Sequence, residues 1–283
     1  MSRKFTSPVI SVNPESSILE TLKKMQINFV KHIVIVTKEK PVGIVTERDI
    51  NKFLDNDKTA RAIEEIPIRH VMEKNVIVIT DDLDDHFEQC ASRMETFRIG
   101  SVVLVDENGR LLGIVTKTDV VKAYASVHGG KYKVKDFMSK KLMTCRRSDS
   151  LSFALNIMNK NEVSRLIVTD ENGAPHGLIT TNNFLTHSEF FSKKNTMSRS
   201  YLLQEKNTTL KVEDLLKNNV LKINQEEDLA TASSMMIKNK ISGIPVVDDN
   251  AGLVGLISKM DVVKAFSQVG PHEVLKSKYK ELY

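Results

Sequence analysis

A seven-residue motif occurs four times along the chain, and this repetition constrains the fold more than any other feature of the sequence. The motif is a glycine, two apolar residues, a threonine or serine, two variable residues, and an aspartate or asparagine. Its copies begin at Gly43, Gly113, Gly177 and Gly255. The apolar pair is typical of a buried strand end. The hydroxyl residue then lies where a helix N-cap belongs, and the acidic or amide residue lies at N3.

The repeat extends well upstream of each motif. A helix-like stretch with apolar residues at i, i+3, i+4 and i+7 precedes each copy. These stretches end at Met25, Met94, Met158 and Met236, which precede the motif glycines by 18, 19, 19 and 19 residues. An apolar run and a polar turn lie between the methionine and the glycine, which is typical of a hairpin. A short apolar strand comes before each helix. Each unit is therefore predicted to be strand–helix–strand–strand–helix.

The four units resemble CBS domains, the cystathionine-β-synthase-type modules, over nearly the whole chain. Residues 68–72 and 134–138 also resemble the segment that opens many repeats of that family. The resemblance implies a mixed α/β (α+β) fold, with four β-α-β-β-α repeats paired into two Bateman modules in a disc. The first repeat would pair with the second, and the third with the fourth. Four repeats in one chain resemble stand-alone archaeal CBS proteins and the gamma subunit of AMP-activated protein kinase.

The repeat boundaries follow from the spacing of the motifs. We expect the first repeat with its link at residues 1–67, the second at 68–128, the third at 129–190, a linker at 191–209 and the fourth at 210–283. The connection at residues 189–209 is the longest, and it is expected to be an excursion or disordered. The basic end at residues 276–280 is expected to be a solvated helix.

Composition limits the classes of function. Of 283 residues, 41% are hydrophobic and 27% are charged, as in ordinary globular proteins. No apolar stretch approaches the roughly 20 residues that span a bilayer, and no apolar leader is visible at the N-terminus. Cys90 and Cys145 are expected to be reduced thiols. We therefore expect a cytoplasmic protein without a membrane partner. The net charge of +5 suits a phosphate-bearing ligand or a nucleic acid, and does not choose between them.

The polar residues of the motif have a structural and a functional interpretation. In the structural one, they form a capping box that holds the first helical turn. In the functional one, which the resemblance implies, the N3 side chain accepts hydrogen bonds from ribose hydroxyls. We favour a ribose role in at least one copy; Asn183 keeps an acceptor but loses the charge. The candidates are Thr46 with Asp49, Thr116 with Asp119, Thr180 with Asn183, and Ser258 with Asp261.

The two residues before each central strand differ between repeats. The second and fourth repeats carry small residues that let a flat base approach, namely Gly100, Ser101, Ser242 and Gly243. Asp119 and Asp261 follow in those same repeats, so we expect the best-occupied sites there. The other two repeats carry His32 and Arg165. Residues 163–166 resemble the family segment whose arginine reaches nucleotide phosphates, and His32 is either a phosphate ligand or a partly exposed strand residue. Arg48, Lys117 and Lys259 either reach phosphates or lie on a solvated face.

Signals for catalysis are weak. The histidines show no metal-ligand spacing, residues 129–132 lack the spacing of a P-loop, and no nucleophile–base pair is legible. We therefore expect no enzyme, no metal and no catalytic cofactor. The resemblance implies a regulatory, energy-sensing protein that binds AMP, ADP, ATP or S-adenosylmethionine between paired repeats and acts on a regulated protein. A homodimer is compatible with this. The alternatives are a nucleic-acid-binding or scaffolding protein with degenerate clefts, and an enzyme whose chemistry is hidden in a cleft.

Overall fold

The structure is a computed structural model that describes residues 5–57, 61–80, 86–185, 210–216 and 221–280. The strands are β1 (Ser11–Val12), β2 (His32–Thr37), β3 (Lys40–Thr46), β4 (Val78–Thr80), β5 (Ser101–Val105), β6 (Leu111–Thr116), β7 (Thr144–Arg146), β8 (Arg165–Thr169), β9 (Pro175–Thr180), β10 (Ile223–Asn224), β11 (Gly243–Val247) and β12 (Leu253–Ser258). The helices are α1 (Ile18–Ile27), α2 (Glu47–Asn56), α3 (His86–Phe97), α4 (Lys117–Val127), α5 (Val134–Phe137), α6 (Leu151–Lys160), α7 (Thr181–Leu185), α8 (Leu229–Lys238) and α9 (Lys259–Lys280).

These elements form four copies of the predicted unit. Each copy has a three-stranded sheet in which a short first strand pairs in parallel with the central strand. The central strand pairs antiparallel with the third strand, which carries the motif. One helix follows the first strand and another follows the third. The predicted order of elements, strand–helix–strand–strand–helix, is confirmed in all four repeats.

The motif glycines occupy equivalent positions, which confirms the repeat. They lie opposite Ile35, Leu104, Val168 and Val246, and a register shift follows each of these residues. Glycine is needed because another segment approaches closely at each site. A Cβ atom on Gly43 would lie 2.5 Å from Met72 Sδ, and one on Gly177 would lie 2.6 Å from Leu216 Cδ2.

The segments that contact these glycines are exchanged between repeats. Met72, in the opening segment of the second repeat, covers the glycine of the first, while Phe5 near the start of the chain covers Gly113 of the second. The third and fourth repeats exchange in the same way, through Met138 on Gly255 and Leu216 on Gly177. Backbone hydrogen bonds between neighbouring residues accompany three of the four contacts. They join Thr6 with Ile114, Glu73 with Ile44, and Ser139 with Leu256. Each of these contacts lies within one of the two compact units described below.

The chain divides into two compact units, each of which combines two repeats in one core. The first–third unit contains residues 9–76 and 143–220, and the second–fourth unit contains residues 1–8, 77–142 and 221–283. Ile33 and Leu54 share a buried cluster with Leu155 and Phe184 in the first–third unit. In the other unit, a second cluster unites side chains of α4, α8 and α9. The sequence did not predict these shared cores.

Several smaller expectations concern single residues or segments. Cys90 and Cys145 are free and buried, and burial raises the pKa of each thiol to about 12. Residues 276–280 lie in α9, which confirms the predicted helix at the basic end, and the connection at residues 189–209 lies outside the described residues. Within the described part of the chain, every helix is too short or too polar to cross a bilayer.

Candidate functional site

The same local geometry surrounds the motif in every repeat. The first residue of each central strand lies directly opposite the N-cap residue at the end of the third strand. These pairs are His32 with Thr46, Ser101 with Thr116, Arg165 with Thr180, and Gly243 with Ser258. The sheet therefore brings together residues that are separated by a whole hairpin in the sequence. Within each repeat, the first residue of the central strand therefore lies beside the motif residues at one end of the sheet.

A second contact ties the helix start to the same strand. The first helical N–H donates to the carbonyl of the residue just before the central strand. The four bonds run from Glu47 to Lys31 at 3.3 Å, Lys117 to Gly100 at 3.1 Å, Thr181 to Ser164 at 3.1 Å, and Lys259 to Ser242 at 3.2 Å. Because this donor is engaged by the protein, the helix N-terminus offers fewer free N–H groups to an anion than an uncapped helix would.

The N3 side chain caps the helix in all four repeats. In the first repeat, Asp49 Oδ2 accepts from the Thr46 backbone N–H at 2.8 Å and from its hydroxyl at 2.7 Å. Asp119 Oδ2 accepts the same two bonds from Thr116 at 2.8 and 2.7 Å. Asp261 Oδ2 accepts both bonds from Ser258 at 2.7 Å. The structural interpretation of the motif is therefore realised in the structure.

Asn183 makes the same cap without a charge. Its Oδ1 accepts from Thr180 N at 2.8 Å and from Thr180 Oγ1 at 2.7 Å. Its amide nitrogen also donates to the Leu215 carbonyl at 3.5 Å. The cap thus needs a single acceptor oxygen, and the second oxygen of an aspartate adds nothing to it. Among the described residues, the hydrogen bonds to Asp49 and Asp119 all involve Oδ2, so Oδ1 can accept from a ligand.

A cavity lies beside one of these acceptors. Asp49 borders a space of about 420 Å³ whose other walls include Phe53, His70 and Val71. This space is a groove that is largely open to solvent. His70 and Val71 belong to the segment that the sequence assigned to the opening of the second repeat. Analysis of the sequence missed His70 and Phe53 as wall residues, because only the exchange of opening segments brings His70 next to α2.

Charges near the first motif are arranged around Glu47. Burial raises the pKa of this carboxyl above its ordinary value, while the positive charge of Lys31 acts in the opposite direction. Lys31 Nζ lies 3.6 Å from Glu47 Oε2. Arg48 is exposed on the same helical turn, and His32 and Arg165 are half-buried at the starts of their strands. His32 and Arg165 belong to the first–third unit, whereas Asp119 and Asp261 belong to the second–fourth unit.

Comparison of the sequence with models of known protein families identifies its family. The model of the CBS domain matches residues 3–56, 68–126, 134–189 and 212–268, which together make up most of the chain. The chain belongs to the CBS-domain family. Each matched segment contains one copy of the motif with its capping box, so the repeats described above are the CBS domains.

Several relatives match this chain over almost its whole length. Protein MJ1225 of Methanocaldococcus jannaschii is 25% identical over 272 residues, which is 92% of this chain and 95% of that protein. Its crystal structure superposes with a TM-score of 0.78 at 24% identity and covers 93% of this chain and 98% of that one. A 33.4 kDa protein in the ribosomal RNA operon of Thermofilum pendens is 26% identical, over 94% of this chain and 91% of its own length. A conserved Pyrococcus horikoshii protein has the same fold, with a TM-score of 0.64 at 18% identity over 93% of this chain and 97% of that one.

Proposed function

We propose that this CBS protein is a cytoplasmic regulatory protein that binds an adenosine nucleotide and carries no catalytic activity of its own. The observation that carries the proposal is the acceptor oxygen that the N3 side chain places at each helix start, where the N-cap residue lies opposite the first residue of a central strand. In Asp49 and Asp119, one oxygen holds the cap and the other can accept from a vicinal diol. A ribose offers such a diol.

The second and fourth repeats supply the best sites for the nucleoside. Gly100 and Ser101 in one repeat, and Ser242 and Gly243 in the other, present little side-chain bulk at the strand start. An adenine ring can therefore approach the backbone there, close to Asp119 or Asp261. His32 and Arg165 are proposed to bind phosphates, and Arg165 suits this role because its planar guanidinium can donate two parallel hydrogen bonds to phosphate oxygens.

We favour adenosine ligands over other nucleotides because of a relative in the CBS-domain family. Protein MJ1225, the relative with a TM-score of 0.78, has been proposed as an archaeal homologue of γ-AMPK. By analogy, the candidate ligands are AMP, ADP, ATP and S-adenosylmethionine, and an energy-sensing role would follow from the first three. The ligand would act by population shift, because binding favours the arrangement of repeats that holds it best. A regulated protein would then bind that arrangement in preference to others.

The test begins with the protein as purified. Mass spectrometry of the heat-released small molecules identifies any copurifying nucleotide. Thermal melting with AMP, ADP, ATP and S-adenosylmethionine, with GMP as the control, then ranks the ligands. A ligand that binds only the folded state at about 100 times its Kd stabilises by about 2.7 kcal/mol, which is readily measured. No copurifying adenosine compound and no shift with any of the four ligands would refute the proposal. Steeply salt-dependent binding of nucleic acid would instead favour the scaffold alternative.

A further inference from the structure

Helix α2 contains a buried amide that has no hydrogen-bond partner. The Asn51 side chain is 1% exposed, and neither its Nδ2 nor its Oδ1 is hydrogen-bonded within the described parts of the chain. Buried polar groups are nearly always paired, because an unpaired group loses its hydrogen bonds to water without replacement. The docked position of α2 therefore carries a cost that would be removed if water reached Asn51.

In the second–fourth unit, the helix positions equivalent to Asn51 hold apolar residues. At the same distance from their cap residues, α4 has Val121 and α9 has Val263, and both valines are completely buried in the shared core. Helix α4 packs directly against α8 and α9. An apolar residue at this position is thus compatible with the fold, and asparagine there is particular to α2, since the third repeat has Leu185 at the equivalent position.

The surroundings of α2 are also less filled and more polar. A cavity of about 540 Å³ is bounded by α2 and α6, and its walls include Arg48, Lys52, Asn156 and Asn159. Lys52 Nζ lies 3.5 Å from Glu162 Oε1, and both side chains are more than half exposed. An ion pair of this kind contributes little to stability. Helix α2 also packs against the short helix α7, whose Thr181 lines the same cavity.

We propose that α2 is a low-stability element that opens locally while the rest of the protein stays folded, and that Asn51 determines this behaviour. Opening of α2 gives both polar atoms of the Asn51 amide water as a partner and exposes Ile50 and Leu54 of the shared core. Opening of α4 would free one unpaired buried atom, the Tyr124 hydroxyl oxygen, and would expose Val120, Val121 and the Tyr124 ring, so it should cost more. Helix α2 also carries Asp49, so opening displaces the acceptor of the first repeat. If the proposed function holds, a ligand held by Asp49 binds only the docked helix and thereby shifts the population towards it.

Hydrogen exchange of the full-length, ligand-free protein tests the proposal without any nucleotide. We expect peptides of α2 to exchange at least about tenfold faster than peptides of α4. Asn51→Val should slow exchange in α2 by about tenfold, which corresponds to about 1.4 kcal/mol. Lys52→Val is the matched control, because Lys52 is exposed next to Asn51 and its exposed ion pair with Glu162 contributes little; it should leave exchange in α2 nearly unchanged. The reciprocal change, Val121→Asn, should accelerate exchange in α4.

Two results would overturn the proposal. One is equal protection of α2 and α4 in the unmodified protein. The other is an Asn51→Val variant that folds and exchanges in α2 as the unmodified protein does. If Asn51→Val does not fold, Val121→Asn decides, and unchanged exchange in α4 would reject the role of the buried amide. None of these readouts depends on ligand binding, so they are independent of whether the protein proves to be a nucleotide sensor.

Discussion

Replacement of Asp119 by asparagine separates ligand binding from helix capping. The third repeat provides the precedent, since Asn183 accepts hydrogen bonds from Thr180 at 2.8 and 2.7 Å, as Asp119 does from Thr116. Asp119→Asn should therefore retain both capping bonds while it removes the charge and one acceptor oxygen. Asp119→Ala removes the cap and the ligand acceptor together. The two variants differ in their effect on folding and agree in their effect on ligand binding.

The expected magnitudes follow from the bonds that each variant loses. Asp119→Ala loses the cap, which costs roughly 1–2 kcal/mol. In a chain of this size, about 1 kcal/mol lowers the melting temperature by about 2–4 °C. Asp119→Asn should leave the ligand-free melting temperature nearly unchanged. Either variant should lose a charge-assisted bond to ribose, worth about 1.5–3 kcal/mol of binding free energy.

Thermal melting with and without the adenosine ligand identified above provides the assay. Each variant is measured without ligand and at a fixed ligand concentration, and Asp261→Asn is prepared alone and combined with Asp119→Asn. The double variant should nearly abolish the ligand-induced shift. If Asp119→Asn destabilises the ligand-free protein as much as Asp119→Ala does, the capping argument is wrong. If the double variant retains the full shift, the ribose site lies elsewhere, with Asp49 and Asn183 as the remaining acceptors.

Three further predictions concern packing, phosphate binding and pH. Gly177→Ala should destabilise by about 1–3 kcal/mol in urea denaturation, because its Cβ would lie 2.6 Å from Leu216 Cδ2, whereas Gly129→Ala, with nothing within 4 Å, should be neutral. Arg165→Ala should weaken AMP binding by about 1.5–3 kcal/mol in calorimetry and leave adenosine binding unchanged; equal losses would assign it a structural role. Because burial raises the pKa of Glu47, its protonated form is favoured on folding, and its contribution is lost as the pH rises through that pKa. Glu47→Gln should thus gain stability over the unmodified protein at about pH 7 and little at about pH 4, and an equal difference at both pH values would contradict the burial argument.

Local patterns in the sequence determined the elements of this protein and the chemistry of the motif. The capping boxes could be predicted because Thr46 and Asp49 lie three residues apart, and such contacts need only the first turn of a helix. The hairpins could be predicted because the apolar runs, the polar turns and the motif glycines recur at nearly constant spacing. The sequence also singled out His32 and Arg165 by their place before the central strand, Arg165 through the resemblance to the family. The structure then places each opposite the cap residue.

Only the tertiary structure decided which repeats share a core and which segments cover the motif glycines. The contacts of Met72 with Gly43 and of Phe5 with Gly113 join segments that are far apart in the chain, and they leave no periodic signal in the sequence. His70 became a wall of the cavity beside Asp49 for the same reason. Asn51 is polar and follows a buried isoleucine in an amphipathic helix, so its sequence context suggests nothing unusual. Its burial without a partner results from helix packing, because the neighbours that surround a side chain are set by the whole fold and not by its own segment.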